Sequence, residues 1–169
     1  MIIADAGPII AFARIGRLAL LQQVVGEFVI PDAVYEELVV KGGDRAGAEA
    51  VRRGEAIQRR TLRNRQALTQ LPRSLAQGEC EAILLAEEEG APLLVDERRA
   101  REAAEQRGIE VVGSLWVLKE AKQRGMILTL RPIIEELLAI GYWFHPERVI
   151  RPFLEEMGEL PPIPEPSQE

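Results

Sequence analysis

Short apolar runs alternate along the chain with stretches whose apolar residues recur at helical spacing. The run Ile2–Ala4 ends at Asp5, and residues 9–25 then carry an apolar stripe typical of a helix. Residues 27–30 form a second apolar run, and Pro31 suits the first turn of the helix that follows. The amino-terminal part is therefore predicted to fold as strand, helix, strand, helix.

The same alternation continues after residue 78. Gly78 is predicted to open a helix that Gly90 closes, and the apolar run over residues 92–95 ends at Asp96. The further predicted elements are a helix over residues 98–107, a strand over 109–112, a helix that Ser114 caps, and helices over 132–140 and 146–157. Because strands rich in Ile, Leu and Val alternate with helices, we expect a three-layer α/β/α fold with a central parallel sheet of four to five strands.

Two stretches depart from this alternation. Residues 45–71 are predicted to form a polar, arginine-rich helix with a break at Gly54 and an end at Pro72. Residues 159–169 place several prolines among polar residues and are expected to form an extended or disordered tail. The ordered part of the chain is therefore predicted to be one domain over residues 1–158.

The composition indicates the size of the core, the cellular location and the type of metal ligand to expect. A chain of 169 residues with 47% hydrophobic content can bury one full core. Its apolar runs are far shorter than the roughly 20 residues that span a bilayer, and its amino terminus lacks the basic start of a secretory signal. We therefore expect a cytoplasmic protein that does not associate with membranes. Cys80 is the only cysteine, so a metal site is expected to use oxygen ligands.

Charge is distributed unevenly along the chain. The net charge of −6 argues against a protein that binds nucleic acid simply by being basic overall. From charge alone, a solvated helix face explains the arginine-rich stretch as well as phosphate binding does. The candidate nucleic-acid contacts in this stretch are Arg52, Arg53, Arg59 and Arg60.

Two aspartates directly follow predicted strands. Asp5 and Asp96 each stand between an apolar strand and a helix, and open α/β sheets bind ligands outside the carboxyl ends of their strands. We therefore expect both side chains to point into one crevice. Capping of the following helix explains either residue equally well when it is considered alone.

Glutamates on two predicted helices are candidates for the same crevice. Glu37 flanks the buried stripe of its helix, where it can line a cleft. Glu79 and Glu81 stand two residues apart at the start of the helix that Gly78 opens, so at most one of them is expected to face the site. Glu81 also suits the third helical position, where it would cap the helix start. Carboxylates gathered in this way can bind Mg²⁺ or Mn²⁺, which activates water for phosphodiester hydrolysis.

Five short segments are distinctive when they occur together. They are, in chain order, residues 5–10 (DAGPII), 30–38 (IPDAVYEEL), 78–83 (GECEAI), 94–101 (LVDERRAR) and 113–115 (GSL). With these segments the chain resembles the PIN-domain family over residues 1–158, most closely its toxin-like branch of VapC-like ribonucleases.

The resemblance implies a metal-dependent endoribonuclease that cleaves single-stranded RNA with Mg²⁺ or Mn²⁺ as its cofactor. It places the catalytic and metal-binding acids at Asp5, Glu37, Glu81 and Asp96. Glu97 is a further candidate metal ligand, and whether Glu79, Glu81 or Glu97 completes the site stays open. Ser114 matches a family position that can hydrogen-bond a ligand, although a helix cap explains it as well.

The resemblance also implies partners. Relatives of this kind form homodimers and are held inactive by a small antitoxin protein. Tyr142, Trp143 and Phe144 are among the apolar residues of the last helices, and they suit such contacts as well as an ordinary core. The competing hypothesis is a catalytically weak or inactive RNA-binding or regulatory protein on the same fold.

Overall fold

A computed structural model of the chain describes residues 1–43, 47–53 and 57–159. The strands in these ranges are β1 (Ile2–Ala4), β2 (Phe28–Pro31), β3 (Ile57–Arg60), β4 (Leu93–Leu94) and β5 (Val111–Val112). They form one sheet in the order β3-β2-β1-β4-β5, and every neighbouring pair is parallel. A parallel sheet of five strands with helices on both faces confirms the predicted fold class.

Helices connect the strands and cover the sheet. Those in the described ranges are α1 (Ala6–Arg14), α2 (Leu18–Val25), α3 (Asp32–Tyr35), α4 (Ala48–Arg53), α5 (Gln77–Glu89), α6 (Arg98–Gln106), α7 (Ser114–Gln123), α8 (Arg131–Ala139) and α9 (Arg151–Glu156). A π-helical turn, Glu36–Val40, continues α3, another, Pro146–Ile150, precedes α9, and Arg65–Gln70 is a 3-10 helix. Within the described part of the chain, every helix is too short or too polar to cross a bilayer.

The sheet divides the hydrophobic core into two layers. In β1, Ile2 and Ala4 belong to one buried cluster and Ile3 to the other, because successive side chains of a strand point to opposite faces. Phe12 of α1 joins the first cluster, and Ile83 of α5 joins the second. Each of the larger side chains, Ile or Phe, stabilises the fold by about 1.5–3 kcal/mol when it is buried. The two apolar layers therefore hold the strands, and the loops at their carboxyl ends, in fixed positions.

The arginine-rich stretch is not the single helix that its polarity predicts. Helix α4 is followed by strand β3, which pairs with β2 at the edge of the sheet. Ile57 is buried whereas Gln58 and Arg59 are exposed, as on an edge strand with one face on the core. Pairing with β2 outweighs the local helical preference, so the helix prediction is wrong for β3. The expected helix start at residue 45 and the break at Gly54 lie outside the described residues.

The end of the domain is fastened by the first residue of the predicted tail. The Glu159 carboxylate accepts hydrogen bonds from the backbone N–H groups of Leu130 and Arg131, and it pairs with the Lys122 ammonium group at 2.6 Å. Glu159 is thus bound to the start of α8 and to α7. Residues 160–169, which carry the prolines of the predicted tail, lie outside the described residues.

The strand order brings the carboxyl ends of β1 and β4 side by side. The Asp5 N–H donates to the Leu94 carbonyl over 3.0 Å, so Asp5 lies beside the end of β4. From β1 the chain crosses toward β2, and from β4 it crosses the other way, toward β5. This reversal is the topological switch point at which open α/β sheets bind ligands.

Candidate active site

A cavity of about 350 Å³ opens beside the carboxyl ends of β1 and β4. We call it the acidic cavity, because five of its lining residues are Asp or Glu. Its lining residues are Asp5, Gly7, Pro8, Glu37, Glu79, Asp96, Glu97, Tyr142, Trp143 and Phe144. Three of the four acids that the sequence assigned to the site line this cavity, and so do Glu79 and Glu97.

Asp5 is the most buried acid of the cavity. Its side chain follows β1 directly, and the residue is only 8% exposed. The pKa of the Asp5 carboxyl is raised from 3.8 to about 7, chiefly by burial and in smaller part by the negative charges of Glu79 and Glu37. Backbone hydrogen bonds from Ala6 and Gly7 lower the pKa only in part. The site therefore concentrates negative charge that a cation would compensate.

Glu37 approaches Asp5 across a glycine. A Cβ atom added to Gly78 would stand 3.2 Å from Glu37 Oε2 and 3.8 Å from Asp5 Oδ1, so both oxygens border the space that Gly78 leaves open. Glu37 lies in the π-helical turn after α3, a geometry that is frequent at functional sites. A larger side chain at Gly78 would press on the Glu37 carboxylate, which would have to shift by a few tenths of an ångström.

Asp96 is held by three hydrogen bonds. The Ser114 N–H donates to Asp96 Oδ1 over 2.8 Å, and the hydroxyl groups of Ser114 and Tyr142 both donate to Asp96 Oδ2. Ser114 is fully buried, so it faces Asp96 and not the solvent, where the predicted nucleic-acid contact would have to be made. It is the first residue of α7, and Gly113 occupies the cap position predicted for it.

Tyr142 is a site residue that the sequence did not identify. Its Oη atom would lie 3.5 Å from a Cβ atom added to Gly7, and Asp5 Oδ2 would lie 3.7 Å from the same point. Burial, followed by the negative charge of Asp96, raises the pKa of the Tyr142 phenol above its usual range. The hydroxyl therefore stays protonated and donates to Asp96 between the two strand-end aspartates.

Glu79 and Glu97 each cap a helix and line the cavity at the same time. Glu79 Oε2 accepts from the Ala76 N–H over 2.8 Å at the start of α5, and Glu97 Oε2 accepts from the Ala100 N–H over 2.9 Å at the start of α6. Burial raises the pKa of Glu79, and the charges of Glu97 and Glu37 add to this effect. These acids are close enough to influence one another electrostatically.

Glu81 does not line the acidic cavity. Its side chain is 1% exposed and points into the contact between α3 and α5, where Oε2 accepts from the Ala33 N–H over 2.9 Å. Its other oxygen accepts from Arg65 at 3.1 Å and from Gln77 at 3.3 Å. Helix α5 begins at Gln77, not at Gly78, so Glu79 is its third residue and turns toward the cavity. Two residues along a helix correspond to about 200° of rotation, which turns Glu81 away.

The candidate arginine contacts are engaged elsewhere in the structure. Their partners, for Arg52, Arg53, Arg59 and Arg60 in order, are the Gly43 carbonyl, Glu49, Asp32 and Glu89. Arg59 also lies over the Tyr35 ring at 4.3 Å and lines a second cavity of about 600 Å³ that contains both acidic and basic residues. The structure thus gives each of these arginines an intramolecular contact and brings none of them into the acidic cavity.

The donor atoms of the acidic cavity are oxygens, which suit a hard divalent cation. Cys80 is no alternative ligand, since burial raises the pKa of its thiol and keeps it protonated. Among the described residues, no three Asp, Glu, His or Cys side chains are near enough to one another to share one ion. Oxygens of Asp5 and Glu37 both border the space beside Gly78, and Mg²⁺ is commonly held by one or two carboxylates with water and substrate oxygens around it. These two residues therefore fit such an ion.

Comparison with known proteins agrees with this architecture. The family model DUF3368, described as a PIN domain, matches residues 1–159. A PilT N-terminus domain protein from the hyperthermophilic archaeon Sulfolobus solfataricus P2 superposes with a TM-score of 0.52 at 21% sequence identity. The superposition covers 71% of this chain and 92% of the archaeal chain. No curated protein matches significantly.

The family match spans nearly the whole chain, whereas a structural similarity at this low identity shows the fold alone. PIN domains are generally nucleases and typically use divalent metal ions. The chain belongs to the PIN-domain family.

Proposed function

We propose that this protein is a metal-dependent endoribonuclease that hydrolyses phosphodiester bonds of single-stranded RNA in the acidic cavity. The observation that carries the proposal is the approach of the Asp5 and Glu37 carboxylates around Gly78. Three more acids line the same cavity, and so much negative charge at a ligand-binding edge of the sheet calls for a cation. Mg²⁺ or Mn²⁺ is the proposed cofactor.

Each acid has a proposed role. Asp5 and Glu37 would hold the ion, which would stabilise the phosphate charge and activate water. Glu79, half-buried and with a raised pKa, is placed to accept a proton from the attacking water. Asp96 and Glu97 complete the acidic wall, and Tyr142 and Ser114 keep the Asp96 carboxylate in position.

Glu81 receives a different role in this proposal. Both of its oxygens are occupied by groups of the protein, one of them a backbone N–H at the start of α3. We assign it to holding α3 against α5, which in turn positions the π-helical turn that carries Glu37. The metal-binding role that the family resemblance implies for Glu81 stays a prediction, which Mn²⁺ binding by Glu81→Gln tests.

The family resemblance supports a wider biological proposal. We propose that the protein is the toxin of a toxin–antitoxin pair, acts as a homodimer and is inhibited by a small antitoxin protein. Co-purification with the product of a neighbouring small reading frame, together with loss of RNA cleavage in that complex, is the expected result. A chain that arrests no growth when expressed alone and binds no such product would not be a toxin.

A second candidate function is RNA binding without efficient cleavage. It is favoured by the absence, among the described residues, of three acids that converge on one point. In that case RNA binding would survive EDTA, and no Mn²⁺ would be bound.

A cleavage assay tests the main proposal. Fluorescently labelled single-stranded RNA is incubated with the protein in Mg²⁺, Mn²⁺ or EDTA, and the products are separated by electrophoresis. Asp5→Asn, Glu37→Gln and Glu79→Gln are each expected to lower the rate about 100-fold or more. Glu110→Gln, which changes an exposed glutamate outside the cavity, is the matched control and should cleave at the wild-type rate. Cleavage that persists in EDTA, or in Asp5→Asn at full rate, would refute the proposal.

A further inference from the structure

Three consecutive aromatic residues form one wall of the acidic cavity. Tyr142, Trp143 and Phe144 all line it, but they differ in exposure. Tyr142 and Phe144 are partly buried and pack edge to face, with ring centroids 5.5 Å apart. Trp143 is 69% exposed, which makes it the most exposed aromatic side chain among the described residues. The cavity therefore presents one large, neutral, planar surface beside its carboxylates.

The position of the Trp143 ring is supported from one side. Its indole meets the His145 imidazole at a centroid distance of 5.7 Å and an interplanar angle of 63°. His145 is itself fixed, because its Nδ1 atom accepts a hydrogen bond from the Arg148 N–H over 3.2 Å. Tyr142, on the other side in sequence, is bound to Asp96 through its hydroxyl. An exposed indole held in this way loses little conformational entropy when a ligand covers it.

We propose that Trp143 is a stacking platform for an unpaired nucleobase of the strand bound in the acidic cavity. The inference rests on the proposed nuclease function and names a subsite for its substrate. The carboxylate wall repels phosphates except where a cation compensates it, so affinity for the strand has to come from groups that do not carry negative charge. Stacking on an aromatic side chain is such a contribution, and it tolerates any base because every base has a planar π-face.

The same geometry favours single strands over duplexes. A base within a duplex is already stacked between its neighbours and exposes only its edges, whereas an unpaired base can turn onto the indole. Because Trp143 and the acids Asp5 and Asp96 line one cavity of about 350 Å³, a base on the indole keeps its own phosphate near the carboxylates. Trp143 is thus proposed to determine both affinity and strand preference.

The chain offers a direct optical test, since Trp116 and Trp143 are its two tryptophans. Trp116 lies in α7 and does not line the cavity, so Trp116→Phe leaves Trp143 as the sole indole reporter. Adding Asp5→Asn removes metal-dependent cleavage from the experiment, and Mg²⁺ is kept in the buffer so that the remaining carboxylates do not repel the strand. Short oligoadenylate is then expected to quench the Trp143 emission, while ribose 5-phosphate, which has no base, should leave it unchanged.

The affinity is measured separately by anisotropy of a labelled oligoadenylate. Trp143→Ala is expected to raise the Kd about 5-fold or more, Trp143→Phe to retain most of the affinity, and Trp116→Ala to match the wild type. Circular dichroism confirms that the variants fold, which is expected because Trp143 is largely exposed.

Absence of quenching together with an unchanged Kd in Trp143→Ala would overturn the proposal. An emission that changes with protein concentration but not with oligonucleotide would also overturn it and would identify a protein contact instead. Quenching in a protein that cleaves no RNA would uphold the stacking platform while the proposed nuclease function fails. Normal RNA cleavage by the wild type, together with an unchanged Kd in Trp143→Ala, would refute the stacking platform and leave the proposed nuclease function standing.

Discussion

Replacement of the buried Asp5 carboxylate by an amide should stabilise the metal-free protein at neutral pH. Asp5 is 8% exposed, and burial together with neighbouring charges raises the pKa of its carboxyl from 3.8 to about 7. Asp5→Asn keeps the shape of the side chain but cannot ionise. We therefore expect the variant to be more stable than the wild type in EDTA, and the difference to depend on pH.

The sign and the size of this dependence follow from linkage. Between pH 3.8 and about 7 the folded protein binds the Asp5 proton while the unfolded chain releases it, so the free energy of unfolding falls as the pH rises. The stabilisation that the protonated Asp5 carboxyl provides is fully present below its unfolded-state pKa of 3.8. It is lost as the pH rises through its folded-state pKa of about 7. At about 1.4 kcal/mol per pH unit, the ionised carboxylate destabilises the fold by roughly 4 kcal/mol above pH 7, and about 2 kcal/mol of this develops between pH 5 and pH 7.

Urea unfolding in EDTA, followed by circular dichroism at several pH values from 5 to 8, measures this effect. Subtracting the wild-type curve from that of Asp5→Asn removes the contribution of the titrating groups that do not interact with Asp5. Glu110→Gln, an acid-to-amide change at an exposed position, should show no such pH-dependent gain. If the difference between Asp5→Asn and the wild type is the same at pH 5 and pH 7, the burial and charge crowding assigned to Asp5 are wrong.

Three further substitutions separate the roles of the site residues. Gly78→Ala should weaken Mn²⁺ binding in calorimetry, because its Cβ would stand 3.2 Å from Glu37 Oε2 and displace that carboxylate. Unchanged affinity would contradict the close approach. Glu81→Gln should lower the free energy of unfolding by about 1–3 kcal/mol, because it disturbs buried hydrogen bonds outside the acidic cavity, and it should leave Mn²⁺ binding unchanged. Loss of Mn²⁺ binding in this variant would show that Glu81 belongs to the metal site. Tyr142→Phe should weaken Mn²⁺ binding less than Glu37→Gln does, because it removes one of the three hydrogen bonds that hold Asp96, with the fold retained in circular dichroism. An effect as large as that of Glu37→Gln would show that Asp96 itself binds the ion.

The architecture and the strand-end acids could be predicted from the sequence because they depend on local patterns. Apolar runs that alternate with helical stripes identified β1, β2, β4 and β5. Asp5 follows β1 directly, and Asp96 lies two residues after the end of β4. Strand β3 could not be recognised in this way. Only Ile57 of its four residues is buried, and the hydrogen bonds that make it a strand come from β2, about thirty residues earlier in the chain.

Which glutamate of α5 faces the acidic cavity depends on where that helix begins. Placing the cap at Gly78 assigned the third helical position to Glu81, whereas the cap lies two residues earlier, at Ala76, and gives that position to Glu79. Ala76 has no side chain that signals a cap, so the sequence offers no mark at this boundary. The spacing of three residues from Ala76 to Glu79 is the only signal that was available, and it is a weak one.

Tyr142 could not be assigned because its partner is distant in sequence. It stands 46 residues after Asp96, and the hydrogen bond between them depends on how α8 packs on the first core cluster. An aromatic residue near the chain end is compatible with a core, an interface or a site when the sequence is read alone. The same holds for Trp143, whose place in the cavity wall follows from that packing.

Calorimetric titration with Mn²⁺ tests most directly the central claim that the acids around Gly78 form a divalent metal site. The wild type, Glu81→Gln and Glu110→Gln are predicted to bind Mn²⁺ with similar affinity, and Glu37→Gln about 10-fold or more weakly. Absence of Mn²⁺ binding by the wild type, or loss of binding in Glu81→Gln with full binding in Glu37→Gln, would contradict the account.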